Sequence, residues 1–324
     1  MNNKQPIVGG QAVIEGVMMR GKDGIATAIR KKDGEIKVDF EQYIPINKRN
    51  KYLALPIIRG FMTYIDSLII GVKILSKSVD ALEEDEDGSE QELSKLDLFF
   101  EKVFKDKYNE VIMGISLVIS LALTIGIFYL LPNFITNLFT RIGVTNSIIL
   151  NFIESLIRVS ILVGYLSVIS MQKDVKRLFK YHGAEHKTIF CYENNDKLTV
   201  ENARKYTTLH PRCGTSFIFV VFFVSLVLYL FLGWQRGIMR IATRLLLLPL
   251  ISGISYELIR LMASKENAFL KAIAFPGLMF QKITTKEPSD DMLEVAIVAL
   301  KRAEGIEYED DNKQTAESKL QEAL

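Results

Sequence analysis

The stretch Val111-Ile112-Met113-Gly114-Ile115-Ser116-Leu117-Val118-Ile119-Ser120-Leu121-Ala122-Leu123-Thr124-Ile125-Gly126-Ile127-Phe128-Tyr129-Leu130-Leu131 holds no charged residue. A helix rises about 1.5 Å per residue, so a run of this length covers roughly the 30 Å of a bilayer's hydrocarbon core. Three more apolar runs follow at Ile148–Met171, Thr215–Trp234 and Ile238–Met262. They predict a mainly α, polytopic membrane protein with four transmembrane helices. The second run carries Glu154 and Arg158, and the fourth carries Arg244, Pro249, Glu257 and Arg260. Arg158 lies roughly 15 Å into its run, a depth at which ionisable groups pair or face a polar cavity. Spaced four apart, Glu154 and Arg158 are read as an ion pair within the bundle.

Bulk composition conceals this segregation, because a net charge of +2 with 24% charged and 49% hydrophobic residues would also suit a soluble protein. Loop charges set the orientation. Pro132–Ser147 has one basic residue, Arg141, whereas the loop between the second and third runs has nine, from Lys173 to Arg212. That loop is therefore expected on the cytoplasmic side, and four spans place both termini there as well. Met1–Pro6 is polar and is not followed by the apolar core of a cleavable leader, so the first span is expected to direct insertion.

Outside the spans the chain divides by composition. Residues 1–82 form an N-terminal cytoplasmic or interfacial region. Within it, Gly24–Arg30 and Glu35–Phe40 are short alternating runs joined by Lys31-Lys32-Asp33-Gly34, which predicts a β-hairpin. Gly9–Gly21 is glycine-punctuated and apolar, and reads as a packed strand or tight turn. Leu53–Ser76, with Arg59, Asp66 and Lys73 at seven-residue spacing, reads as an amphipathic helix (residues 53–76) lying on the bilayer or on other helices. Residues 83–92 form an acidic linker, 93–171 a lead-in helix with spans one and two, and 172–214 a cytoplasmic loop. Spans three and four occupy 215–262, a C-terminal cytoplasmic region 263–304, and a polar, frayed tail 305–324.

All three histidines and both cysteines lie between His182 and Cys213, within that loop. Imidazole and thiolate are strong ligands for transition metals. His182 and His186 fall one helical turn apart with Glu185 on the adjoining edge, so both rings can reach one ion while the carboxylate acts as ligand or base. The spacing resembles the inverted zinc-protease motif. A catalytic site needs a third protein ligand. The sequence offers Glu193, His210, Cys213 and Glu257, and the reading favours His210 and Glu257. A pair of histidines on a charged helix can also be plain solvated surface. In a reducing compartment the cysteines are expected as thiols or ligands rather than a disulfide. Arg212, Thr215 and Ser216, at the start of the third span, form either an anion pocket or an N-cap with an interfacial arginine.

Several motifs taken together resemble the YqhQ-like family of uncharacterised bacterial membrane proteins, described as predicted metal-dependent enzymes. They are Gly9–Arg20, Tyr181–Lys187, His210–Phe217, Ser255-Tyr256-Glu257, Pro276-Gly277-Leu278 and Gln281–Pro288. The likeness covers roughly Pro6 to Gly305. It implies a bacterial cytoplasmic-membrane location and a metal-dependent activity, without naming reaction, substrate or catalytic residues.

The expected function is a membrane-bound, metal-dependent hydrolase at the cytoplasmic face. A divalent ion, zinc first, sits on His182 and His186 with a third ligand. Glu185 takes a proton from the attacking water, and Arg212 holds an anionic group. Membrane lipid surrounds the chain, and a small-molecule, lipid-linked or peptide substrate would suit the site. The alternative is a non-enzymatic scaffold or assembly factor, whose loop docks a partner or closes a four-ligand structural metal on His182, His186, His210 and Cys213. A transporter built on Glu154 and Arg158 fits less well, because no inverted repeat is evident. Nucleic acid is not indicated, since the loop's basic residues are interleaved with acids.

Overall fold

A computed structural model describes residues 8–83, 108–235, 237–264 and 267–306. Most of the expected acidic linker, the lead-in from Leu93 and the tail beyond Ile306 lie outside the described residues. The chain is mainly helical with one four-stranded antiparallel sheet near its N-terminus, in the order β1 (Gly9–Val13), β2 (Gly16–Arg20), β3 (Ile25–Arg30) and β4 (Ile36–Glu41). The expected hairpin is β3–β4, in register from Ile25 opposite Glu41 to Arg30 opposite Ile36. Its turn is closed at Gly34, whose positive φ of 93° suits a residue without a β-carbon. The glycine-punctuated stretch before it forms a second hairpin, so the element is a meander twice the expected size.

Both faces of the sheet are covered, which explains why Val17-Met18-Met19 is apolar without alternation. Val17, Met19, Ala26 and Ala28 join a core with Tyr181, Ala184 and Ile189 and with Met292, Leu293, Val295, Ala296 and Leu300. Val13, Met18, Ile25 and Ile29 pack on the opposite side against Ile70, Ile74 and Ala81.

The helices are α1 (Ile46–Arg49), α2 (Ile58–Glu83), α3 (Tyr108–Ile125), α4 (Leu131–Arg141), α5 (Ser147–Ile169), α6 (Lys173–Glu193), α7 (Val200–Arg204), α8 (Gly214–Leu230), α9 (Gly237–Ser264), α10 (Ala268–Thr284) and α11 (Asp290–Glu304). Among the described residues three helices are long and apolar enough to cross a membrane: Gly114–Arg141, Ser147–Ile169 and Met239–Met262. The third expected span, α8, is apolar but shorter at 17 residues.

Three boundaries differ from the sequence reading. The helix expected over residues 53–76 is α2, which starts after turns at 51–57 and runs to Glu83. The first expected loop, Pro132–Ser147, is helical as far as Arg141: a π-helical turn at Gly126–Leu130 precedes Pro132, which sits in the first turn of α4. There proline's missing N–H has no helical partner to lose, so the helix continues. The second span does not run on into the histidine helix. It ends at Ile169, and Gln172, at ψ 141°, interrupts the helix before α6 restarts.

The region 263–304 contributes α11 to the core of the N-terminal sheet. Ser289 stands at its N-cap, Asp290 and Asp291 fill its first turn, Lys301 and Arg302 its last, and Gly305 closes it in the left-handed region. These are the charges and end residues a helix dipole favours.

Candidate functional site

Helix α6 places His182, Glu185 and His186 along one buried stretch rather than on a solvated face. Gly183 through Ile189 are all buried. The close packing begins at Gly183, where a β-carbon would sit 2.0 Å from the carbonyl oxygen of Lys286. Its absence lets the segment after α10 lie directly on the helix.

That approach fixes the first ring. His182 Nδ1 lies 2.8 Å from the carbonyl oxygen of Thr284, and His186 Nδ1 lies 2.5 Å from that of Thr208. A carbonyl oxygen can only accept, so each Nδ1 carries the proton and each Nε2 presents a lone pair. His182 Nε2 is 3.1 Å from Cys213 Sγ. His186 Nε2 is buried with no hydrogen-bond partner among the described residues. Ligand atoms of His182, His186 and Cys213 all lie within 4.8 Å of one another. Tetrahedral coordination with ordinary Zn–N and Zn–S bonds would separate such nitrogens and sulfur by about 3.5 Å. Small side-chain movements would therefore complete a two-histidine, one-cysteine set.

Cys213 is held by the start of α8. It is the N-cap residue, with Sγ 3.4 Å from the Thr215 amide and 3.2 Å from Thr215 Oγ1. Glu185 is 5% exposed and accepts a hydrogen bond from the Gly10 amide, and its Oε2 is 3.9 Å from His182 Nε2. Burial pushes its carboxyl above the usual range, against the pull of His182 and His210. A β-carbon at Gly10 would fall 2.8 Å from Glu185 Cγ and Oε1, so strand β1 approaches the carboxylate as only glycine permits. Burial likewise pushes His186 below its ordinary value.

The other expected residues stand at varying distances from this cluster. His210 is 3% exposed and its ring centre is 5.6 Å from that of His186. It is fastened elsewhere: Gln281 Oε1 accepts from its amide at 2.8 Å and Gln281 Nε2 donates to its carbonyl at 2.7 Å. Its Nδ1 accepts from the Arg212 amide at 3.3 Å, and its Nε2 lies 3.5 Å from Glu193. Burial pushes it down to about 4. Arg212 lines the cavity but is ion-paired with Glu193. Glu257, favoured as third ligand, is not brought to the cluster. Its carboxylate takes a two-pronged bond from Arg59 at 2.6 and 2.5 Å, and the neighbouring Tyr256 lines the cavity instead. Cys191 is separate again, its thiol 3.4 Å from the Lys197 carbonyl.

Sequence reasoning held Gly10 and Gln281 only within family motifs, without a role, and missed the two carbonyls of Thr208 and Thr284. Gln281 is fully buried, bridging His210 and Ser216, and a glutamine amid the apolar residues of α10 was its signal. Nothing in a sequence marks a backbone carbonyl as a histidine's partner.

A cavity of about 690 Å³ joins these groups. Its lining includes His182, Glu185, His186, His210, Arg212 and Cys213, with Gly9, Gly10, Gln11 and Ala12 from β1. An apolar part of the lining comes from Tyr64 of α2, Phe217 and Ile218 of α8, and Tyr256 and Ile259 of α9. Ile218 is also 41% exposed, so the apolar wall reaches the outer surface of the helices.

The sequence model of a family described as "Protein of unknown function (DUF1385)" matches residues 55–305. A curated relative, "Uncharacterized protein YqhQ" of Bacillus subtilis (strain 168), is 37% identical over 303 residues, covering 90% of each chain. No solved structure matches the chain significantly.

Proposed function

The chain belongs to the family of proteins of unknown function DUF1385, and we propose that this member is an integral-membrane, metal-dependent enzyme, a hydrolase of the cytoplasmic face. In this reading α8 also crosses the bilayer, as the third of four spans, both termini are cytoplasmic, and the membrane is the bacterial cytoplasmic one. Seventeen residues of α8 rise about 26 Å, and the apolar Phe231 and Leu232 extend it. The positive loop charge supports the orientation.

One observation carries the metal reading. Two imidazoles have their Nδ1 atoms tied to backbone carbonyls, which directs both Nε2 lone pairs toward one thiol, and one of those lone pairs is buried and unanswered. Backbone tethers of this kind are how ligating histidines are oriented. The soft thiolate with two imidazoles favours zinc among common divalent ions. Three protein ligands leave a position open, which suits catalysis better than a closed structural site. A bound ion supplies Lewis acidity and makes water a competent nucleophile near neutral pH.

Glu185, beside His182 and steered by the Gly10 amide, is placed to exchange a proton with the attacking group. Arg212, on the cavity wall, faces an anionic substrate group once Glu193 yields. The apolar wall of α2, α8 and α9 admits the hydrophobic part of a substrate entering from the bilayer. The fit is to an amphipathic compound, lipid-linked or peptide, with its scissile group at the cytoplasmic surface.

The 3.1 Å approach of Cys213 Sγ to His182 Nε2 favours a second reading, a metal-free thiol nucleophile with His182 as base. Metal analysis of purified protein separates the two. Wild type and Glu185→Gln should carry one ion per chain, and His182→Ala none. Glu185→Gln should nevertheless fail to replace the wild type in cells lacking the gene. Absence of metal from freshly purified wild type would sink the first reading and leave the thiol. Full metal with an active Glu185→Gln would return the site to a scaffold's structural or partner-docking role.

A further inference from the structure

A second polar cluster lies at the other end of α5, 15 residues before the helix terminus that leads to the histidines. Glu154 is 1% exposed, and three guanidiniums converge on it. Arg158 bonds to it at 2.9 Å, Arg244 bonds to both its oxygens at 2.5 Å, and Arg240 bonds to it as well. Arg240 also donates to Asn133 Oδ1 at 2.6 Å and lies 3.8 Å from the ring centre of Trp234. The Arg244 guanidinium is 4.9 Å from the ring centre of Tyr229.

The charges do not balance. Three positive groups face one carboxylate, which leaves two positive charges without a counter-charge among the described residues around them. A carboxylate has about four lone-pair sites, and four arginine bonds already fill those of Glu154. The guanidiniums still hold unused donors, and Arg158 Nε is buried without a hydrogen-bond partner among the described residues. Surplus charge in a membrane helix bundle is costly unless something answers it. A small cleft of about 10 Å³, lined by Asn151, Gln235, Arg240, Thr243 and Arg244, opens at this point, with room for about one oxygen atom. Arg240 is only three residues from the start of α9, and Trp234 and Tyr229 mark the depth where aromatic side chains meet lipid headgroups.

We infer that this cluster is a binding site for a phosphate-type oxyanion, with one phosphate oxygen entering the cleft between Arg240 and Arg244. In a membrane-spanning chain of the proposed orientation, the site lies in the leaflet opposite the histidine cluster, where a phospholipid headgroup supplies that anion. Guanidinium suits phosphate because its parallel donors match the oxyanion's edge. The inference rests on the membrane reading of the helices and is independent of any metal at the histidines.

Thermal unfolding of the full chain in neutral detergent tests it, with phosphatidylglycerol, phosphatidylcholine and inorganic phosphate titrated separately. Phosphatidylglycerol should raise the wild-type midpoint, and Arg240→Gln should need roughly tenfold more lipid for the same shift. Thr243→Glu, which builds an anion into the cleft, should raise the midpoint without lipid and abolish the response. Equal shifts from inorganic phosphate and lipid would identify a free anion as the ligand. A response equally large with phosphatidylcholine, which carries the same phosphodiester, would support that group as the ligand, whereas no shift with any of the three or a response unchanged in both variants would overturn the site. Zinc content of the same samples reports on the histidine cluster, so failure there is read separately.

Discussion

The histidine–cysteine cluster leaves a buried lone pair unanswered, whereas the cluster around Glu154 has more donors than its carboxylate can accept. Both sites bury polar groups that a folded chain would ordinarily satisfy within itself. One presents neutral nitrogen lone pairs beside a thiol, and the other presents charged donors in excess. The first is set by backbone carbonyls and glycines, which hold rings at fixed angles. The second is set by long arginine side chains that gather wherever a counter-charge stands. A burial inventory alone would treat the two alike; the unanswered partner distinguishes them.

Glu154→Leu should be the most damaging substitution, costing about 3–5 kcal/mol because one buried and two partly buried cations lose their counter-charge. Unfolding of the detergent-solubilised protein measures it, and a neutral result would mean the arginines reach water. On the histidine side, Gly183→Ala drives a β-carbon into the Lys286 carbonyl and should cost about 3 kcal/mol. Because the same contact positions Thr284, zinc affinity should also fall by about 10–100-fold, read by competition with a chelator. Unchanged affinity would show that the tether to His182 is dispensable.

His210 tests whether burial outweighs the neighbouring carboxylates of Glu185 and Glu193. Burial holds it at about 4 instead of its ordinary 6.5, so between these values the unfolded chain binds more protons. Its contribution is complete above pH 6.5 and is lost as pH falls toward 4. Glu185, raised by burial, acts in the opposite sense: it favours the folded state at acid pH and loses that contribution as pH rises through its folded value. His210→Gln leaves Glu185 in place and should flatten the acid slope by up to roughly 3 kcal/mol over that window, measured from pH-dependent unfolding. Parallel curves for the two proteins would exclude a buried neutral imidazole. The smallest effect belongs to Arg59→Gln. Its pair with Glu257 is about one-quarter exposed on each side, so the loss should stay under about 1 kcal/mol with zinc content unchanged. Loss of metal there would restore Glu257 to the site.

Local pattern carried the reading furthest where one element was enough. The His182–His186 spacing, the Asp33-Gly34 hairpin and the apolar run from Val111 each express a period or turn within a few residues. Pairings across the fold were not legible. Cys213 joins His182 from 31 positions away, and Glu257 is claimed by Arg59 across 198. Helix α11 carried its own end signals from Ser289 to Gly305, yet nothing near it in the chain reveals that its apolar face covers the N-terminal sheet.

By itself, then, the order of residues settled which runs are apolar, where one hairpin turns, and which side chains are able to ligate. Tertiary structure alone decided that Cys213 rather than Glu257 meets the two imidazoles, that Gly10 and Gly183 permit the close contacts, and that three arginines share one glutamate. Periodicity is a property of neighbouring residues, set by the helix and strand repeat. Ligation, ion pairing and burial are settled by distance in space, which the chain fixes only when all its packed surfaces close together.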